Sequence, residues 1–351
     1  MNPVLAREVK ERFRTRRASF WVFAWTLLVG LFVYLLYLMA RGSYTGVGRL
    51  VATGLMGRFM FEGITLVLMT AVIMVVPGLA ALAIVSERER QTFPLLQVTQ
   101  LKPMQLIGGK LWSSLAFLLL LLLAITPVMA LPLLYGGVGV DEVLIALGMI
   151  LLTAVTLGSV SIYVSARAKS SRAAVAGSYV IAFLIGFFTF ALMIGEMLVF
   201  SPNDNVGDPF GFQGRELYTI WPNPYFGMVD AVVAPLNEIQ SGVEAGPYAV
   251  FTQVLLRRQG VGFNPVPFEG VGRGGVIGVG DDGAIAVDLP KDDPAAAVAQ
   301  VAPALRRGPI WVRTIVIFLT ITLISLIRAA AWVRAPASKP FLTRRSRNAT
   351  A

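Results

Sequence analysis

The chain has 351 residues, of which 56% are apolar and only 14% charged, and its formal net charge is +10. Soluble domains sit near half apolar and a quarter charged, so this composition argues against a water-soluble fold. Cysteine and histidine are both absent, which excludes disulfides, thiolate metal sites and the usual general base, so no cofactor, no metal and no catalytic residue is expected.

The first 19 residues are basic. Leu5, Val9 and Phe13 recur every fourth position and form one apolar stripe, with Arg7, Lys10, Arg14 and Arg17 around it. Such a segment suits an amphipathic helix lying in the headgroup layer, its cations meeting anionic lipid. A basic tail that merely sets topology is the alternative.

Six apolar runs follow, each near the ~20 residues that a helix needs to cross a bilayer core. They are Phe20–Met39, Ile64–Val85, Leu111–Tyr135, Val143–Val164, Ala173–Phe200 and Ile310–Ile327. The first is too long, and too poor in small residues at its end, for a cleaved signal peptide. Trp21, Trp25, Trp112 and Trp311 stand near run ends, where an interfacial aromatic belt places them. Pro77, Pro127 and Pro132 fall inside runs, which neighbouring helices tolerate in a membrane. The expected fold is therefore an all-α integral membrane protein with spans 1–5 in residues 20–200 and span 6 in 309–333.

Lysine and arginine set the orientation. They crowd the N-terminal tail, the second connector (Arg88, Arg90, Lys102, Lys110), the fourth (Arg167, Lys169, Arg172) and the basic tail 334–351. The third connector, Gly136–Glu142, has none. The first has Arg41, Arg49 and Arg58, which argues mildly the other way. The sum puts both termini in the cytoplasm by the positive-inside rule, in the plasma membrane of a bacterium. The basic residues sit at membrane edges and form no nucleic-acid patch.

Residues 201–308 then lie outside, as a small glycine-rich cap. Trp221–Tyr225 reads as a rigid turn, Phe226–Leu236 as a modestly amphipathic stretch, and Pro294–Arg307 as a short helix. Val276–Gly280 and Ala284–Leu289 flank Asp281-Asp282-Gly283, a hairpin signal. Gly270-x-Gly272-x-x-Gly275 neither follows a strand nor opens a helix, so it reads as a turn and not a dinucleotide site. Gly109-Lys110 lacks the rest of a phosphate-binding loop.

Two acids stand at the margins of spans. Glu62 precedes the second run, and Glu196 falls four residues from the end of the fifth. Ionisable groups at such depth are candidates for a pathway, although snorkelling or a partner such as Arg58 or Arg313 would also account for them. Ala173/Gly177 and Ala182/Gly186 are small-x-x-x-small pairs, suited either to packing within the chain or to a dimer seam.

The segment Ser86–Lys110 carries the most unusual pattern. Glu87 and Glu89 alternate with Arg88 and Arg90; Thr92 and Pro94 can start a short helix. Leu95, Leu96 and Val98 give it an apolar side, and the stretch from Thr99 to Pro103 breaks it before Gly108-Gly109-Lys110. A short helix held along the membrane surface could pass force between a soluble partner and the spans; an ordinary solvated connector is the alternative.

On these residues the chain resembles a permease subunit of a type-2 ATP-binding-cassette exporter. The opening Asn2-Pro3-Val4-Leu5-Ala6-Arg7-Glu8 is similar to that family's elbow-helix start. Glu87-Arg88-Glu89-Arg90-Gln91-Thr92 resembles its acidic turn before the coupling helix, with Leu95, Leu96, Thr99, Pro103 and Lys110 following in order. The family's usual Gly-Thr-Leu-Glu is here Gln91-Thr92-Phe93-Pro94. The resemblance covers residues 1–200 and 309–335. It implies a six-span half-transporter without catalysis of its own, paired with a second copy or a sister permease and bound to a separate cytoplasmic ATPase. A secondary transporter, and a sensor reading signals through 201–308, are the rival classes. The former lacks inverted repeats and midplane breaks here, and the latter has no need of the second connector.

Overall fold

The computed structural model describes residues 16–43, 49–91, 103–200, 217–233, 247–248, 251–252, 254–255, 277–279, 285–287 and 309–334. The expected elbow helix (its first 15 residues), the short helix Pro294–Arg307 and the tail 335–351 lie outside them. Six helices are long and apolar enough to cross a membrane, as the six runs predict. These are α1 (Arg16–Ser43), α2 (Arg49–Glu89), α3 (Pro103–Tyr135), α4 (Val140–Arg167), a fifth made of α5 (Ser171–Phe183), a π-helical turn (Leu184–Phe188) and α6 (Thr189–Phe200), and α8 (Ile310–Arg334). A shorter helix, α7 (Pro224–Val233), precedes α8. In hydrocarbon every backbone N–H and C=O must be satisfied within the segment, which only helices of this length and closed barrels achieve.

The chain forms two compact units, 1–186 with 315–351, and 187–314. In the first unit α2 and α4 pack on each other and carry most of the core: Phe61, Ile64, Leu68 and Ile73 on α2 and Ile150, Leu157 and Ile162 on α4 are all nearly inaccessible. On α1, by contrast, Phe23 (67% exposed), Leu27, Leu31 and Tyr34 stand in the open. So continuous an apolar surface is intolerable in water and suits lipid.

Close approach depends on small residues. A Cβ on Gly57 would collide with the carbonyl oxygens of Gly136 and Pro132, so α2 lies backbone to backbone against the α3–α4 turn. That turn needs glycine, since Gly136 and Gly137 have φ of 85° and 76°. On the fifth span, Gly177 faces Val164 and Gly186 faces Ile73, while Ala182 is 2% exposed. The small-residue pattern there serves packing within the chain at these three positions; Ala173 is exposed.

Two helices begin two turns or more before their apolar runs. α2 starts at Arg49 instead of Ile64, and α3 at Pro103 instead of Leu111. Arg58 is therefore no loop cation. It is 7% exposed inside α2, its Nε 3.3 Å from Glu62 Oε1 and its Nη1 2.9 Å from Glu142 Oε2 at the start of α4. Of the three basic residues read in the first connector, Arg58 is thus paired with two carboxylates, Glu62 being the expected one.

The second unit is built on aromatic packing. Phe190 of α6 lies 5.9 Å from Tyr225, 5.7 Å from Phe226 and 5.8 Å from Phe251 between ring centroids. The expected turn at Trp221–Tyr225 is present. Asn223, fully buried, caps α7 by accepting from the Tyr225 and Phe226 amides and donates to Thr189 Oγ1 at 2.7 Å. The described residues of α7 are buried on all sides, so the stretch read as amphipathic is a core helix. Asp230 accepts from the Trp311 amide at 3.0 Å and holds the start of α8. The hairpin read around Asp281–Gly283 appears as antiparallel β1 (Ile277–Val279) and β2 (Ile285–Val287), with Gly278 opposite Ala286.

Candidate functional site

Four helix ends converge in the first unit: the C-termini of α2 and α4 and the N-termini of α3 and α5. The last turn of α2 binds them through three consecutive side chains, which a helix spaces about 100° apart. Glu87 turns to α3, where its Oε1 lies 3.0 Å from Lys110 Nζ. Arg88 turns to α4, donating to the carbonyl oxygens of Ala168 at 3.1 Å and Ala166 at 2.8 Å. Glu89 turns to α5, accepting from the Ser171 amide at 2.7 Å and the Ser171 hydroxyl at 2.5 Å.

Each partner suits the local electrostatics. The C-terminal carbonyls of α4 present partial negative charge to a guanidinium, and the N-terminal amides of α5 present partial positive charge to a carboxylate. Ser170 caps α5 as well, accepting from the Ala173 amide. Below this layer Ser165, fully buried on α4, places its Oγ 3.1 Å from the Ile84 amide and 3.0 Å from the Val85 amide of α2. Arg88 and Glu89 are exposed, so they fix geometry more than they add stability. Lys110 is different: its side chain is 9% exposed and Glu87 is its acidic partner.

Of the residues singled out in the sequence, the structure brings Glu87 and Lys110 together and places Glu89 beside them. Pro103 is the first residue of α3, where its missing N–H costs nothing. Thr92, Leu95, Leu96 and Thr99 lie outside the described residues. Sequence reasoning missed Arg88 as a carbonyl ligand, together with Ser165 and Ser171. A signal existed for the last of these, because Ser170-Ser171 before an apolar run is a helix start. Nothing in one sequence pairs Ser165 with α2.

The other candidate, Glu196, belongs to the second unit. It accepts from the Tyr218 amide at 3.1 Å, the Thr219 amide at 3.1 Å and the Thr219 hydroxyl at 2.5 Å. Arg313, weighed as its partner, instead lies 4.3 Å from the Trp221 ring centroid. Glu196 therefore anchors the turn that leads into α7. Among the described residues no group of three or more acidic side chains is placed to hold a metal. No protein-family model matches the chain, and comparison with curated proteins returns no match.

Proposed function

We propose that the chain is the permease subunit of an ATP-binding-cassette transporter of the type-2 exporter kind, supplying half of a translocation pathway across the plasma membrane. A separate cytoplasmic ATPase hydrolyses ATP, and a second copy or a sister permease supplies the other half. The observation that carries this reading is the clasp at the neck of the Ser86–Lys110 segment. Glu87 and Lys110 tie together the two helices that flank it across 23 positions, and Arg88 and Glu89 extend the tie to α4 and α5. A push on this segment is thereby shared among four spans instead of being lost in a loose loop.

Two details add support. Gln91 stands where the resembled family has glycine, and its φ of 57° is the left-handed conformation that glycine favours. The pairing of Arg58 with Glu62 and Glu142 offsets one of the three first-connector charges that weigh against cytoplasmic termini. The reading assigns Leu95 and Leu96 the contact with the ATPase, Thr92 and Thr99 the ends of a short coupling helix, and Glu196 a place beside the pathway.

The test is co-expression with a candidate ATP-binding-cassette ATPase subunit from the same genome. Leu95→Asp and Leu96→Asp each abolish co-purification while the permease stays inserted and monodisperse, because an unpaired carboxylate buried in a contact costs several kcal/mol. Full complex and full ATP-coupled transport in both variants would reject the reading.

A further inference from the structure

The fifth span changes its helical pattern midway. Five residues, Leu184–Phe188, form a π-helical turn between α5 and α6, the only one among the described residues. Hydrogen bonds in such a turn run from i to i+5, which fits one more residue into the turn than the α-helix on either side. π-Turns are rare and short, and they are one of the few physical causes of a sharp helix kink. No proline marks the place, so the run reads as unbroken in the sequence.

Three further observations fall at this turn. The boundary between the two compact units lies inside it, between Gly186 and Phe187. Gly186 is also where the span meets α2: a Cβ there would stand 3.2 Å from both Cδ1 and Cγ2 of Ile73, so bare backbone leans on one side chain. α2 is weakened at the same level, because Pro77 has no N–H to offer the Ile73 carbonyl. On the opposite side the turn is open, with Phe183, Leu184 and Phe188 all exposed.

The chain crosses the unit boundary again in α8, between Thr314 and Ile315. The buried Thr314 hydroxyl lies 2.8 Å from the Trp221 carbonyl oxygen and 3.2 Å from that of Ile310, four residues back. A threonine hydroxyl bonded to the i−4 carbonyl loosens and bends its helix. Both crossings thus pass through helix turns whose hydrogen-bond ladder is altered. α5 itself is anchored, since Ser171 at its start donates to Glu89 and Ala174 packs on Ala81 and Val85.

We propose that Leu184–Phe188 is a hinge at which α6 swings against α5, taking the second unit with it. A few residues that absorb backbone rotation suffice for such a motion, and Gly186 is its fulcrum. Ile194 lies about 12 Å beyond Gly186 along the helix, so a swing of ~20° carries it through roughly 4 Å. The hinge rests on the fold alone and stands apart from the transport reading.

The experiment uses the full chain in lipid nanodiscs, with pairs of spin labels on introduced cysteines, since none is native. Distances are read by double electron–electron resonance. One label is at Leu134→Cys on α3, and the other at Val180→Cys on α5 or Ile194→Cys on α6, all exposed positions. The 134–180 distribution is single and narrow, and the 134–194 distribution is broader or split by about 4 Å. Deleting the exposed Leu184 removes the extra residue of the turn and narrows the second distribution to the width of the first. Leu184→Ala keeps the chain length and leaves it broad. Equal widths in the wild-type chain overturn the proposal. Breadth that survives the deletion overturns it too, since the motion then belongs to the end of α6, and so does narrowing in Leu184→Ala. If the deletion variant fails to fold, the wild-type comparison of positions 180 and 194 decides.

Discussion

Gln91 follows the last turn of α2 with φ of 57°, and its amide donates to the Arg88 carbonyl at 3.1 Å. A side chain in the left-handed region costs roughly 1–2 kcal/mol, which glycine avoids. Part of that gain is returned through the larger unfolded-state freedom of glycine. Gln91→Gly should therefore raise stability by about 0.5–1 kcal/mol, seen as a higher unfolding midpoint in detergent, while Gln91→Val should lower it. A lower midpoint for the glycine variant would show that the left-handed cap is not the resting conformation. This position was half legible in advance: the Glu-Arg-Glu-Arg run announced a helix end, but nothing in the chain itself marked a left-handed residue, because glutamine is not a usual one there.

α2 has 41 residues, about 60 Å at 1.5 Å per residue, against the ~30 Å of hydrocarbon in a bilayer. Its second half was readable from an unbroken apolar run. The first half was not, because Gly54, Gly57, Arg58, Glu62 and Gly63 depress its apolar average. Those residues are there for packing and charge pairing: Gly57 admits the α3–α4 turn, and Arg58 reaches Glu142 across 84 positions. A contact that distant leaves no trace in local periodicity. Removing one member of a buried ion cluster strands the others, so Arg58→Ala should cost about 3–5 kcal/mol. The triple variant Arg58→Met, Glu62→Gln, Glu142→Gln should recover most of that loss, since no net charge remains buried. Folded yield and midpoint in detergent measure both, and a fully stable Arg58→Ala protein would show that the cluster is solvated.

At the scale of the whole chain the six spans were legible because apolar length is a direct physical requirement of the bilayer. The region between the fifth and sixth spans was less so. Its turn and hairpin came from local chemistry at Trp221–Tyr225 and Asp281–Gly283, but the burial of α7 depends on aromatic partners such as Phe190 and Phe251 that lie far off in sequence. Orientation remains a proposal with a clean test, since the chain has no native cysteine. Lys102→Cys should be shielded from a membrane-impermeant maleimide in intact cells, and Asp282→Cys should react. Labelling at position 102 would reverse the topology and remove the coupling reading with it. The Arg58 cluster also bears on how such a chain is made. During synthesis Arg58 leaves the ribosome 84 residues before Glu142 but only four before Glu62. An arginine entering the bilayer alone is expensive, so Glu62 serves as its escort through insertion. The hairpin of α3 and α4, closed by Gly136 and Gly137, supplies Glu142 only after α3 has been synthesised, so until then Glu62 is the cluster carboxylate within reach of Arg58.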